Sequence, residues 1–190
     1  MNIVIFGPPG AGKGTQSSLI EKKFNLFQLS TGELLRKEIK KKTELGNKIS
    51  SIISLGNLVS DEIVGNLIEK YISNTNYKNR LIFDGYPRNL NQAKNLASLL
   101  EKYDQKIDIA LKLSVSLENI KKRISHRKNL EKRADDSEHI AIKRFNDYEK
   151  NIKPVIDFYK NLDLFKEVNG EASVNEINIK ISGLIERIKG

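Results

Sequence analysis

Lys13 sits near the end of the run Gly7-Pro8-Pro9-Gly10-Ala11-Gly12-Lys13-Gly14-Thr15, which carries Gly, Gly and Lys at the spacing G-x-x-x-x-G-K. A β-rich stretch, Asn2–Phe6, precedes it and an amphipathic stretch ending near Lys23 follows, so the run reads as a turn from strand into helix. A phosphate chain in such a turn is held by inward-pointing backbone N–H groups that side chains would obstruct, and the helix start adds partial positive charge. The candidate contacts are Gly10, Ala11, Gly12, Lys13, Gly14 and Thr15, with Lys13 in reach of the β- and γ-phosphates. Gly14 stands where a hydroxyl residue usually contacts Mg2+, and Thr15 follows one place later. A dinucleotide turn is disfavoured, because Gly10-Ala11-Gly12 is not completed by Gly at position 15. Taken alone, the loop leaves GTPase, ATPase, kinase and switch protein all open.

Further phosphate-directed groups are spread along the chain. Arg88 follows Asp84-Gly85 at a predicted strand end, where open α/β sheets place their ligands. Its planar guanidinium suits two-point contact with a phosphate, and Gln92 can pair donor and acceptor with a base edge. Arg123 and Arg127 share one face of a predicted helix at i,i+4, where an anion between them would relieve their repulsion. The plainer alternative for Lys121, Lys122, Arg123 and Arg127 is one basic solvated helix, and for Asp84 a cap on the following turn.

The elements that must position these groups follow from periodicity. Strand candidates are Asn2–Phe6, Phe27–Leu29, Arg80–Asp84, Ile107–Leu113 and Leu164–Val168, with helical patterns between them. That alternation predicts an α/β fold, a mainly parallel sheet with helices on both faces. About fifty residues between the second and third candidates look wholly helical, broken at Gly46 and Gly56, which exceeds a simple crossover and predicts an inserted helical subdomain. Ser173-Val174-Asn175-Glu176 is a capping-box pattern, and Val174, Ile177, Ile181, Leu184, Ile185 and Ile188 form one apolar stripe expected to face the core.

The chain has 190 residues, enough for one sizeable core, so residues 1–190 are expected to form a single domain. Its longest apolar runs are strand-sized, and the start lacks a basic and then apolar leader pattern, so a cytoplasmic protein is expected. With no Cys and only His126 and His139, neither a disulfide framework nor a Cys/His zinc site is expected. The net charge of +9 is assigned to phosphate substrates and solvated helices, not to nucleic acid or a membrane surface.

Leu29-Ser30-Thr31-Gly32-Glu33-Leu34-Leu35-Arg36, Asp84-Gly85-Tyr86-Pro87-Arg88 with Gln92, and Arg133-Ala134-Asp135-Asp136 followed by Arg144 stand in order after the Gly-rich loop. Together they resemble the nucleoside monophosphate kinases, adenylate kinases in particular, across essentially the whole chain. The resemblance implies a P-loop core, an NMP-binding insertion over 30–59 and a short lid over 127–136. It places Thr31, Arg36, Asn57, Leu58, Val59, Gly85, Tyr86, Pro87, Arg88, Gln92, Arg133 and Arg144 around AMP. ATP is placed on the loop, Arg123, Arg127 and the turn Asn169-Gly170-Glu171-Ala172. Catalytic roles fall to Lys13, Asp84, Arg88, Arg123, Arg133 and Arg144, with Mg2+ arriving with ATP and Asp84 meeting it through water. A monomer and ATP + AMP = 2 ADP are expected. The rival acceptor class is UMP/CMP, against which Thr31 and Gln92 speak. A P-loop protein without transfer activity is the rival of another kind.

Overall fold

A computed structural model describes residues 1–55, 57–131 and 137–189, with side chains at 1–55, 57–126 and 137–188. The expected strands form β1 (Ile3–Phe6), β2 (Phe27–Ser30), β3 (Leu81–Asp84), β4 (Ile109–Ser114) and β5 (Phe165–Asn169). They make one sheet in the order β2-β3-β1-β4-β5, and every pairing is parallel, with Val4 opposite Phe83 on one side and Ala110 on the other.

Successive strand side chains point to opposite faces, so β1 feeds two cores at once. Val4 and Phe6 join Leu29, Leu81, Phe83 and Ala110 on one face, whereas Ile3 and Ile5 join Ile82, Ile109, Leu111 and Leu113 on the other. The first face is covered by α2 (Thr31–Lys40), α3 (Glu44–Ser54), α4 (Asp61–Ile72), α5 (Leu90–Lys102) and α7 (Glu138–Lys160). The second is covered by α1 (Lys13–Phe24), α6 (Leu117–Glu131) and α8 (Val174–Lys189). The α/β fold with helices on both faces is therefore as the periodicity predicts, and the β1 neighbours bring the chain turns after β1 and β3 side by side.

The capping box forms: Ser173 N–H donates to Glu176 Oε2 at 2.9 Å, and Glu176 N–H donates to Ser173 Oγ at 3.3 Å. The stripe behind it is core only in its middle. Ile177, Ile181 and Ile185 are buried, but Val174 at the first helical residue is 49% exposed and Ile188 in the last turn is 42% exposed.

Gly46 does not break the helical run. It lies inside α3, its N–H donating to the N-cap Thr43 Oγ1 at 3.1 Å, and the break falls earlier, between Lys40 and Glu44. The glycine serves a close approach instead: a Cβ there would sit 2.5 Å from the Glu38 carbonyl oxygen, on the backbone of α2. Gly46→Ala must therefore push two helices apart. It should lower stability by roughly 1–3 kcal/mol, read as a shift in the urea midpoint at unchanged slope. Gly56, the other expected break, lies outside the described residues.

Candidate active site

The loop after β1 turns on glycine. Gly12, at φ +93°, is the N-cap of α1 and supplies no side chain to the helix start, so the first N–H groups of α1 have no side-chain cap. The space beside it is taken by Arg123, whose Nη1 would be 3.8 Å from a Cβ at this position. Lys13 Nζ donates to the carbonyl oxygens of Gly7 at 2.7 Å and Pro8 at 3.0 Å, which holds the ammonium over the loop. Gly14 and Thr15 are exposed, and Ala11 is buried against the second core.

Asp84 ends β3 beside this loop, 8% exposed, its Oδ2 3.8 Å from where a Gly14 Cβ would lie. Its carboxylate accepts Gln28 Nε2 from the neighbouring strand at 3.0 Å, so this hydrogen bond comes from β2 and not from the turn that follows. A carboxylate here, with lone pairs to spare, suits the water shell of a hard cation carried on a phosphate chain. Among the described residues, no group of three or more His, Cys, Asp or Glu is placed to hold a metal ion by itself.

After Asp84 the chain runs Gly85-Tyr86-Pro87-Arg88 into α5. Thr31 Oγ1 lies against the Gly85 and Asp84 carbonyls at 3.1 and 3.3 Å and donates to them. Arg88 Nε donates to the Gly85 carbonyl at 2.7 Å, and Arg88 N–H donates to Gln92 Oε1 at 2.7 Å. Asn89 Oδ1 accepts the Gln92 N–H at 2.8 Å and so caps α5.

Two cavities meet here. The first encloses about 570 Å³ of space open to solvent. It gathers Thr31, Arg36, Asn57, Leu58, Val59, Gly85, Tyr86, Arg88, Gln92 and Arg144, residues brought from β3's end, α2, α5, α7 and the segment before α4. The second, also open to solvent, spans about 650 Å³ and runs from Gly7, Pro9 and Lys13 to Pro87. Leu58, Gly85, Arg88 and Arg144 line both, so the two spaces share a wall that carries two guanidinium groups.

Arg123 stands apart from these cavities and clamps the loop to the turn after β5, donating to the Ala11 carbonyl at 3.2 Å and the Gly170 carbonyl at 2.8 Å. Ala172 lies in that turn, half-buried, with its side chain against the second core. The turn is tied to the start of α6 by Glu171, whose Oε1 accepts Ser116 N–H and Asn119 Nδ2, each at 2.9 Å. Hydrogen bonds from Ser116 first, then Asn119, hold the Glu171 carboxyl down at about 2 from an ordinary 4.5, with Arg123 adding attraction. The contribution of this clasp is thus present above pH 4.5 and is lost as pH falls through about 2. In a carbon-13 carboxyl titration, Glu171 should stay ionised while glutamates that lack such hydrogen bonds protonate. A Glu171 midpoint among theirs would show that the clasp does not hold in solution.

The α6 helix runs on to Glu131, so the backbone of 127–131, counted in the expected lid, is helical. The side chain of Arg127, all of Arg133 and the rest of the lid lie outside the described residues. Several site residues carry no local sequence signal. Asp147, Tyr148 and Asn151 line the second cavity from α7, a helix far along the chain. Lys143, on the same helix, donates to the Leu55 carbonyl at 3.0 Å and Asn57 Oδ1 at 2.6 Å, joining α7 to the segment between α3 and α4. Asp61 accepts Gln92 Nε2 at 2.6 Å, a contact hidden by its place in an ordinary Ser60-Asp61-Glu62 helix start.

Comparison with known proteins agrees with this geometry. A family profile described as "Adenylate kinase" matches residues 5–164. The chain is 43% identical over 212 aligned positions to the adenylate kinase of Pelagibacter ubique (strain HTCC1062), covering 98% of this chain and 100% of that protein. It is 37% identical over 186 positions to the adenylate kinase of Stenotrophomonas maltophilia (strain K279a), with 98% and 100% covered. Against the adenylate kinase of Porphyromonas gingivalis (strain ATCC 33277) it is 35% identical over 189 positions, with 100% and 97% covered. A parallel P-loop sheet, two adjoining cavities that share a wall with two arginines, and full-length likeness lead to one family, and the chain belongs to the adenylate kinases.

Proposed function

We propose that this chain transfers the γ-phosphoryl group of Mg-ATP to AMP, reversibly, to give two ADP. The observation that carries the reading is the shared wall of the two cavities, where Arg88 and Arg144 face both spaces and Lys13 stands in one of them. A protein that only binds a triphosphate needs one such space. AMP occupies the first cavity, with its phosphate on Arg36, Arg88 and Arg144 and its base toward Gln92. The ATP phosphates lie on the loop from Gly10 to Thr15, with the adenosine toward Arg123 and the Ala172 turn.

In this arrangement an oxygen of the AMP phosphate attacks the γ-phosphorus in line, and the bond to the β,γ-bridging oxygen breaks, leaving ADP on each side. No general base is needed, because the nucleophile is already ionised at neutral pH. Positive charge from Lys13, Arg88, Arg123, Arg133 and Arg144 offsets the repulsion of two phosphate chains, which is nearly all that phosphoryl transfer asks of a protein. Mg2+ enters with ATP as part of the substrate, and Asp84 orients its water shell.

The insertion over 30–59 and the lid over 127–136 close over the nucleotides and keep water from the γ-phosphate. The aligned span with the Pelagibacter enzyme, 212 positions against 190 residues here, supports a shorter form, since that relative carries residues this chain lacks. The enzyme acts as a cytoplasmic monomer without zinc, nucleic acid or membrane partners. No helix among the described residues is long and apolar enough to cross a membrane.

A coupled assay with AMP, CMP, UMP and GMP as acceptors tests the reading. AMP should be preferred, and ADP should form from ATP only when it is present. Equal ATP consumption with and without AMP would remove the kinase reading, and a preference for UMP or CMP would replace the acceptor.

A further inference from the structure

Gln92 is 2% exposed, and both ends of its amide are already held by the protein. Oε1 accepts the Arg88 N–H at 2.7 Å, and Nε2 donates to Asp61 Oδ1 at 2.6 Å. Asp61 opens α4 and also accepts Asn89 Nδ2 on its two oxygens, at 3.3 and 3.2 Å, so the carboxylate is steadied from the start of α5. Its charge reaches the cavity wall: Tyr86, 1% exposed, has its hydroxyl pushed up to about 12 by burial and then by Asp61.

A glutamine amide is nearly symmetric in shape, and turning it over exchanges its donor end for its acceptor end at little steric cost. Here the exchange would set Oε1 against the Asp61 carboxylate and Nε2 against the Arg88 N–H. Two attractive contacts would become two repulsive ones.

We infer that Asp61 is a specificity-determining positioning residue, which together with the Arg88 N–H locks the Gln92 amide in one orientation and so selects a 6-amino purine over a 6-oxo purine. The inference rests on the proposed assignment of Gln92 to the acceptor base. Each amide end has one hydrogen-bonding capacity left after its protein contact: a second lone pair on Oε1 and a second N–H on Nε2. Adenine offers a donor at N6 beside an acceptor at N1 and matches that pair. Hypoxanthine offers an acceptor at O6 beside a donor at N1, which only the turned amide would match. With Asp61 in place, a 6-oxo base sets acceptor against acceptor at position 6 and donor against donor at N1.

Asp61→Asn keeps the size but removes the charge, and its own amide can face Gln92 either way round. The test is kcat/KM with AMP and with inosine monophosphate as acceptors, in the wild type, Asp61→Asn, Asp61→Ala and Gln92→Ala. The AMP to inosine monophosphate ratio should fall by about tenfold or more in both Asp61 variants. The ratio is taken within one preparation, so a smaller folded fraction cancels, which a purely structural role for Asp61 would not survive. A ratio that falls in Gln92→Ala but holds in both Asp61 variants overturns the inference and leaves the base reading standing. A ratio unmoved in all three overturns the base reading, and the inference with it.

Discussion

Lys13→Met is expected to lower kcat by about a thousandfold while leaving the protein folded. The ammonium is held over the loop by two backbone carbonyls, Gly7 and Pro8. A phosphate oxygen is a stronger acceptor for an ammonium than a neutral carbonyl is, so a triphosphate on the loop draws the charge toward itself. As the phosphoryl group moves, negative charge shifts toward the bridging oxygen, and a fixed positive charge is worth more there than in the ground state. The loss should therefore appear in kcat more than in KM for ATP. Methionine keeps most of the stem's apolar contact, so the urea midpoint should move little. A kcat within tenfold of the wild type would remove Lys13 from the catalytic set.

The second large effect is expected at Arg88. Arg88→Ala should depress kcat/KM for AMP by at least about a hundredfold, roughly 2.7 kcal/mol of transition-state binding. Its Nε is anchored on the Gly85 carbonyl at 2.7 Å, and the side chain borders both cavities, in which the two nucleotides are proposed to lie. Arg88→Lys should recover little of the loss, because a point charge cannot keep the Gly85 anchor and also grip a phosphate at two points. Gln92→Ala should fail differently, raising KM for AMP and relaxing the choice of acceptor base with a smaller change in kcat. Steady-state profiles of the three variants on AMP and CMP separate these outcomes. If Arg88→Ala changed KM alone, Arg88 would be a ground-state binder and not part of the transfer.

Much of this was legible along the chain because it depends on short windows. A run such as Ile3-Val4-Ile5-Phe6 is apolar at every position, the pattern of a short strand buried on both faces, and the Gly-rich turn that follows bounds it at strand length. The loop from Gly7 to Thr15 was recognisable because phosphate binding needs a particular backbone path, and only glycine follows it cheaply. Arg88 could be singled out because it sits directly after a strand end.

Where a residue's role depends on what packs against it, the local reading failed. Gly46 looks like punctuation in one dimension, yet it is a contact surface for the Glu38 carbonyl once α2 and α3 fold together. Val174 and Ile188 share the period of the α8 stripe, but period reports which face a residue is on and not how far along the helix the core extends.

The sequence by itself determined the order of strands and helices, the phosphate loop and the types of charged group available, since dihedral preference, periodicity and side-chain chemistry are properties of neighbours in the chain. Only the tertiary structure decided that β3 lies beside β1, which sets Asp84 next to Gly14, and that α4 meets α5, which sets Asp61 on Gln92. It also decided that α7 closes the second cavity with Tyr148 and Asn151. These pairings come from burying both faces of one sheet at once, a demand on the whole chain that leaves no mark within any window of it.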